Sequence, residues 1–122
     1  MRMDRAMLFV KDLDKMTAFY REVIGFRPIA ETARKDWIEF DAGGMPFALH
    51  AIPAHIAGTI SISSPPVARE SQNCKLIFVA DDPDREQARL AAAGVTILHR
   101  AWGGWDAVDP EGNVFGVRPA IA

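Results

Sequence analysis

The sequence predicts an α+β fold made of two tandem β-α-β-β-β modules, and two observations carry that expectation. First, three unrelated punctuation marks recur at nearly one spacing. Asp12 and Asp82 lie 70 residues apart, Gly25 and Gly94 lie 69 apart, and Gly44 and Gly112 lie 68 apart. Helix caps, helix-ending glycines and turn glycines serve different local purposes, so a shared offset points to repetition of a whole unit. Second, each half holds one stretch of helical period among about four short apolar or alternating runs. One helix can cover one face of each sheet. The other face needs a partner, supplied by the other half or by a second chain.

The elements follow in order. Residues 6–10 (AMLFV) form a short apolar run, consistent with a buried strand. Asp12 is a good N-cap, and Asp14 adds negative charge to the first helical turn. Leu13, Met16, Tyr20, Val23 and Ile24 then fall on one helical stripe with Phe19 beside it, while Lys15, Arg21 and Glu22 lie off it. Gly25 ends the helix, at the position where a left-handed backbone favours glycine. Residues 26–31 read as a strand, and Pro28 within it implies an edge or a bulge. Residues 36–40 (DWIEF) alternate as a strand does, 41–44 form a turn, and 46–52 are the next strand. The first module is thus about 1–53.

Residues 53–72, punctuated by Pro53, Gly58, Pro65 and Pro66, read as the linker between modules. So long a connection without structure is uncommon inside a compact domain, and a short strand at 59–62 is expected in it. The second module, about 73–122, repeats the order. Residues 75–79 (KLIFV) are a strand, and Asp82-Pro83 is an N-cap followed by proline at the first helical position. The helix runs to Ala93 and Gly94 ends it. Strands are expected at 95–100, 105–108 and 114–118, the last two joined by a strong turn signal, Asp109-Pro110-Glu111-Gly112-Asn113.

Composition fits a single domain of 122 residues, with 49% apolar and 25% charged residues. A net charge of −2, with basic and acidic residues interspersed, gives no basic face for nucleic acid. No window approaches the roughly 18 apolar residues of a membrane span, and the first fifteen residues carry no apolar run of signal-peptide type. The single cysteine, Cys74, cannot form an internal disulfide. It reads as a buried small hydrophobe at a strand start, with a nucleophile as the other reading. A cytoplasmic protein is expected.

Three stretches carry a family resemblance. FVKDLDKMTAFYREVIGF (9–26) resembles the first strand, helix and Gly-Phe turn of the glyoxalase/bleomycin-resistance/extradiol-dioxygenase (vicinal oxygen chelate) superfamily. VADDPDREQARLAAAGV (79–95) resembles its second-module counterpart, and DPEGNVF (109–115) resembles the turn before its final strand. The resemblance spans nearly the whole chain except the linker. It implies paired modules whose curled, mixed sheets enclose a cup that holds the binding or active site, and often a homodimer. It does not fix a function, because the superfamily holds isomerases, dioxygenases, epimerases, thiol transferases and drug-binding proteins.

Metal-using members draw ligands from the first and last strand of each module. The resemblance carries those four positions to Arg5, Ala48, Lys75 and Gly116. Arginine has no acceptor lone pair, lysine ligates only when deprotonated, and Ala48 and Gly116 have no ligating group. A divalent cation commonly needs three or more protein donors. No metal and no other cofactor are therefore expected. A one-residue slip to Asp4 or Cys74 would supply donors but would break parity with the hydrophobic pattern.

Strand alternation adds the neighbours of these positions. If Arg5 points into the cup, so do Met7 and Phe9. Lys75 brings Ile77 and Val79, Ala48 brings His50, and Gly116 brings Val114 and Arg118. The expected ligand-binding set is Arg5, Met7, Phe9, Ala48, His50, Lys75, Ile77, Gly116 and Arg118, with Trp105 added. It is an apolar site with a few cationic groups, suited to a small anionic molecule. Arg5 and Arg118 can equally reach solvent from strand ends. Trp102 and Trp105 flank Gly103-Gly104, where an indole lines a pocket, packs at an interface or fills a core. Glu39 shares a strand face with Trp37 and reads as a solvated carboxylate or, within the cup, a base. His55 and His99 have no evident partner.

Three functions compete at this level. One is a metal-free small-molecule-binding protein with a partly apolar, anionic ligand. Another is a glyoxalase-like lyase or isomerase, or a dioxygenase-type enzyme, with a displaced metal site around His50 and Glu39 or with His50 as acid-base, since histidine ordinarily titrates near neutral pH. The last is a regulatory or scaffold dimer with a vestigial cup.

Overall fold

A computed structural model describes residues 1–121. The chain divides into two compact units, Met1–Ser61 and Ile62–Ala122, a boundary that falls inside the segment read as a linker. The first unit contains β1 (Ala6–Val10), α1 (Leu13–Ala18) running on into a π-helical turn (Phe19–Ile24), β2 (Arg27–Arg34), β3 (Trp37–Asp41), β4 (Pro46–Ala51) and α2 (Ala54–Ala57). The second contains β5 (Leu76–Val79), α3 (Pro83–Ala92), β6 (Ile97–His99), β7 (Trp105–Val108) and β8 (Val114–Arg118). The sheets are ordered β1-β4-β3-β2 and β5-β8-β7-β6. In each, the first strand of the module runs parallel to the last and the other neighbours are antiparallel. The two β-α-β-β-β modules expected from the repeat are therefore present, each with a mixed sheet.

Both long helices start as the sequence directs. Asp12 accepts from the Lys15 N–H at 3.0 Å and Asp82 accepts from the Arg85 N–H at 3.1 Å. These side chains satisfy backbone donors that a helix start leaves without partners. The first helix departs from expectation, because it is α-helical only to Ala18 and then widens. The Tyr20 carbonyl accepts from both Gly25 N–H (3.1 Å) and Phe26 N–H (2.9 Å), with Gly25 at φ 92°. Phe19 and Tyr20 both lie in the core, at 7% and 0% exposure. There Tyr20 meets Phe26 and Phe47 with ring centroids 6.2 and 5.1 Å apart.

Two further expectations are corrected. β2 runs to Arg34 rather than ending at 31, with its register to β3 shifted between Ile29 and Arg34. Thr32 fills the irregularity: its hydroxyl donates to the Ile29 carbonyl (2.7 Å) and accepts from the Glu39 N–H (2.9 Å). No strand forms at 59–62. The linker instead holds the single turn of α2, and its polar groups are met by separate backbone bonds and by side chains rather than by a ladder. The Lys11 ammonium donates to the Ile60 carbonyl. Arg69 N–H donates to the Gly112 carbonyl (2.8 Å), and Arg69 Nη2 and Gln72 Nε2 both donate to Asn113 Oδ1 (3.1 and 2.6 Å). The turn they join is braced by Asp109, which is fully buried and accepts from the backbone N–H groups of Glu111 and Asn113. Among the described residues, no helix is long and apolar enough to cross a membrane.

Candidate functional site

The two faces of each sheet differ in kind. On one, Ala6, Leu8 and Val10 of β1 pair with Phe47, Leu49 and Ala51 of β4, and Phe47 touches the helical Tyr20. In the second unit Leu76 and Phe78 pair with Phe115 and Val117. This is the packed face. The opposite face carries Met7 and Phe9 of β1 and Ile77 and Val79 of β5, all exposed. Nine of the ten residues expected to bind a ligand belong to this second face or, like Arg5 and Lys75, to the chain just before it. Trp105 does not. It alternates with Asp106 on β7 and lies with Ala107, the partner of Phe115, on the packed face, where it is 8% exposed.

Register makes equivalent rows across the two sheets. In the first unit Met7, Ala48 and Glu39 are neighbours on β1, β4 and β3. In the second, Ile77, Gly116 and Asp106 are neighbours on β5, β8 and β7. Each row thus places a carboxylate beside the small residue of the last strand. Each carboxylate is met by the basic residue that precedes the first strand: Arg5 Nη1 lies 2.9 Å from Glu39 Oε1, and Lys75 Nζ lies 2.9 Å from Asp106 Oδ1. Arg5 and Lys75 are therefore not the free cations that the sequence suggested. Asp106 was not singled out by sequence at all. The missed signal is the turn at 109–113: closing it tightly pairs Val108 with Val114, and two residues back Asp106 must face Gly116.

Around the first carboxylate the site is aromatic. Phe9, His50 and Trp37 form a row across β1, β4 and β3. The His50 ring is 5.4 Å from each neighbour, tilted 30° to Phe9 and 66° to Trp37. The Trp37 indole N–H donates to Glu39 Oε2 (3.1 Å), and His50 Nε2 lies 3.4 Å from Asp36 Oδ2. Hydrogen bonding and charge from Asp4, followed by the charge of Glu39, hold the Arg5 guanidinium above its usual range.

Around the second carboxylate the site is basic. Asp106 is 2% exposed. Its Oδ2 accepts from Lys75 Nζ (2.9 Å) and Arg100 Nε (2.8 Å). Arg100 also donates both terminal nitrogens to Glu70 of the linker, at 2.8 and 2.9 Å. Burial pushes the Asp106 carboxyl up, but the Lys75 and Arg100 hydrogen bonds outweigh it and hold the group below the usual carboxylate range. Glu70 is lowered by Arg100, whose own guanidinium is held well above its usual range, mainly by Glu70 and then by Asp106. Arg118 completes the group. Its guanidinium sits 5.0 Å from the Trp102 ring centroid and 3.9 Å from Asp106 Oδ1. Gly116 makes room for it: a Cβ there would lie 3.2 Å from both Arg118 Nη1 and Asp106 Oδ1.

Other candidates lie apart. Cys74 is exposed rather than buried, because β5 begins only at Leu76. It borders a pocket of about 110 Å³ beside Lys75, Arg100 and Glu70. His55 and His99 are exposed.

The residues present do not fit the metal that the family positions would hold. Arg5 and Lys75 are engaged as cations, and Ala48 and Gly116 offer no donor. Among the described residues, no three His, Cys, Asp or Glu side chains are grouped to hold a metal ion.

Comparison with known proteins follows the same lines. The family model of the Glyoxalase/Bleomycin resistance protein/Dioxygenase superfamily matches residues 2–117. A protein of unknown function from Agrobacterium tumefaciens is similar in structure, with 25% identity, a TM-score of 0.70, and 99% of this chain and 95% of that one covered. A lactoylglutathione lyase from the same organism has 22% identity and a TM-score of 0.65 over 95% of this chain and 91% of its own. The fosfomycin resistance protein FosX of Listeria monocytogenes has 17% identity and a TM-score of 0.70, over 98% and 92%. A comparison with curated proteins finds no match.

Proposed function

The chain belongs to the Glyoxalase/Bleomycin resistance protein/Dioxygenase superfamily, and from that premise we propose that it binds a small, partly apolar, anionic molecule without a metal at the family positions. The observation that supports this reading is Arg118. Its Nη1 donates to the Val117 carbonyl (3.0 Å), whereas Nε and Nη2 have no hydrogen-bond partner among the described residues. A guanidinium that keeps donors free beside exposed apolar residues suits a carboxylate, which it can grip in a two-pronged fashion. Ile77 and Val79, on the β5 strand paired with β8, supply apolar surface of the kind that a ligand's carbon frame covers.

The test is calorimetric titration with aromatic and aliphatic carboxylates and with their neutral amides. Binding of acids but not amides is expected. Arg118→Ala should weaken it about tenfold or more, because a hydrogen bond to a charged group contributes about 1.5–3 kcal/mol. Equal binding of acids and amides overturns the proposal. So does near-stoichiometric Zn, Ni, Mn or Fe, measured by elemental mass spectrometry after dialysis against those ions.

His50 favours a second reading, a lyase or isomerase using acid-base chemistry. Asp36 at 3.4 Å can orient its ring, and Phe9 and Trp37 flank it. Turnover in an isomerase assay that disappears in His50→Gln would put this reading first. A homodimer is also proposed, since the exposed apolar faces of β1 and β5 are of the kind a second chain covers. Sedimentation at a monomer mass would count against it.

A further inference from the structure

The charges of the second unit's site do not cancel. Three cations, Lys75, Arg100 and Arg118, face two carboxylates, Asp106 and Glu70, which leaves one positive charge over. Where the surplus sits follows from the distances. Asp106 Oδ2 is taken by Lys75 and Arg100 at 2.9 and 2.8 Å, and Glu70 takes both terminal nitrogens of Arg100. Arg118 is held near this cluster but outside hydrogen-bonding range, 3.9 Å from Asp106 Oδ1. That oxygen is buried, 2.9 Å from the Lys75 ammonium that Oδ2 shares and 3.9 Å from Arg118 Nη2.

We infer that Asp106 is a specificity-determining positioning residue, which neutralises Lys75 and Arg100 so that the site at Arg118 selects a small monoanion, a carboxylate, over a dianion such as a phosphate monoester. The inference rests on Arg118 being the ligand anchor. A carboxylate matches one guanidinium in charge and geometry. A second negative charge would find Lys75 and Arg100 already engaged, and it would approach a buried carboxylate oxygen that has no donor to offer. Like charges at such short range repel. Removing the charge of Asp106 releases the ammonium of Lys75 and one prong of Arg100, the donors that a dianion needs.

The probes are benzoate and phenyl phosphate, titrated at about pH 8, above the second phosphate pKa of about 6. The wild-type protein should bind benzoate about tenfold more tightly. Asp106→Asn should tighten phenyl phosphate about tenfold more than it tightens benzoate, shifting the ratio of affinities toward the phosphate. Because a buried carboxylate that holds two cations can be needed for folding, Glu70→Gln is the second variant. Its side chain is 58% exposed, it frees the paired nitrogens of Arg100, and it should shift the preference the same way by a smaller factor. Arg118→Gln should weaken binding of both probes about tenfold or more. If it does, while Asp106→Asn and Glu70→Gln leave the ratio of affinities unchanged, the role of Asp106 is overturned and the anchor stands. A wild-type preference for phenyl phosphate also overturns the role of Asp106. If the wild-type protein binds neither probe, or Arg118→Gln binds both as before, the anchor reading falls and the inference with it.

Discussion

At Gly104 a Cβ would stand 1.7 Å from the Trp102 ring, so the indole lies directly against this residue's backbone. Gly104→Ala must push the ring away. Trp102 is 61% exposed and free to swing outward, so the fold should lose little stability while Arg118 loses its aromatic platform. An exposed cation–π contact is worth about 0.5–1 kcal/mol. The expected result is an unchanged Tm within about 2 °C and a two- to fivefold weaker carboxylate affinity, read by calorimetry. Gly112 is the contrasting case. Its φ of +88° already favours glycine, and a Cβ would meet the Val67 backbone oxygen at 2.5 Å, which has no flexible end to yield. Gly112→Ala should destabilise by about 2 kcal/mol or more, seen as a lower denaturant midpoint.

Among the elements, α3 separates what its two ends contribute. Leu90 is 2% exposed and is the helix's buried residue, so Leu90→Ala should cost about 2–5 kcal/mol. Asp82→Ala removes only the cap on the Arg85 N–H and should cost about 1 kcal/mol. Urea melts of the two variants check the ranking, and a larger loss at Asp82 would contradict it. The same element was legible in the sequence because its cap, its proline and its closing glycine are all local signals. The π-helical turn at Phe19–Ile24 was not. It answers to a cluster of aromatic rings brought together from Phe26 and Phe47, and periodicity is blind to a distant partner. The site divides in the same way. Alternation along β1, β4, β5 and β8 put Met7, Phe9, His50, Ile77 and Arg118 on the open sheet faces, because a strand's faces are fixed by counting. Asp106 needed the register of β7 to β8. Arg100 and Glu70 lie beyond any count, since one follows a strand end and the other comes from the linker, and only tertiary folding joins them.

For the molecule as a whole, acid is the condition that should separate native from unfolded. Asp106, Glu70 and Asp41 each have a carboxyl held below its ordinary value, 3.8 for aspartate and 4.5 for glutamate. Hydrogen bonds from Gly44, Arg27 and Gly43 do this for Asp41. A group depressed in the folded state binds its proton more readily when unfolded. Its contribution is complete above the unfolded value and is lost as pH falls through the folded one. Stability should therefore be flat near neutral pH and decline from about pH 4.5 downward. Solvent screening limits the shares of the exposed Glu70 and Asp41, so Asp106→Asn should visibly flatten the decline. Denaturant midpoints measured between about pH 7 and pH 3 test this, and an unchanged slope in the variant would assign acid sensitivity elsewhere.

The linker's attachments have a further consequence. Arg69 and Gln72 fasten its later part to the turn at 109–113, and Lys11 holds Ile60 to the first unit. What remains between these anchors, residues 61–68, is a brief covalent bridge between two units that each own a complete sheet and a covering helix. A gene divided at this bridge would encode two fragments, neither missing a strand.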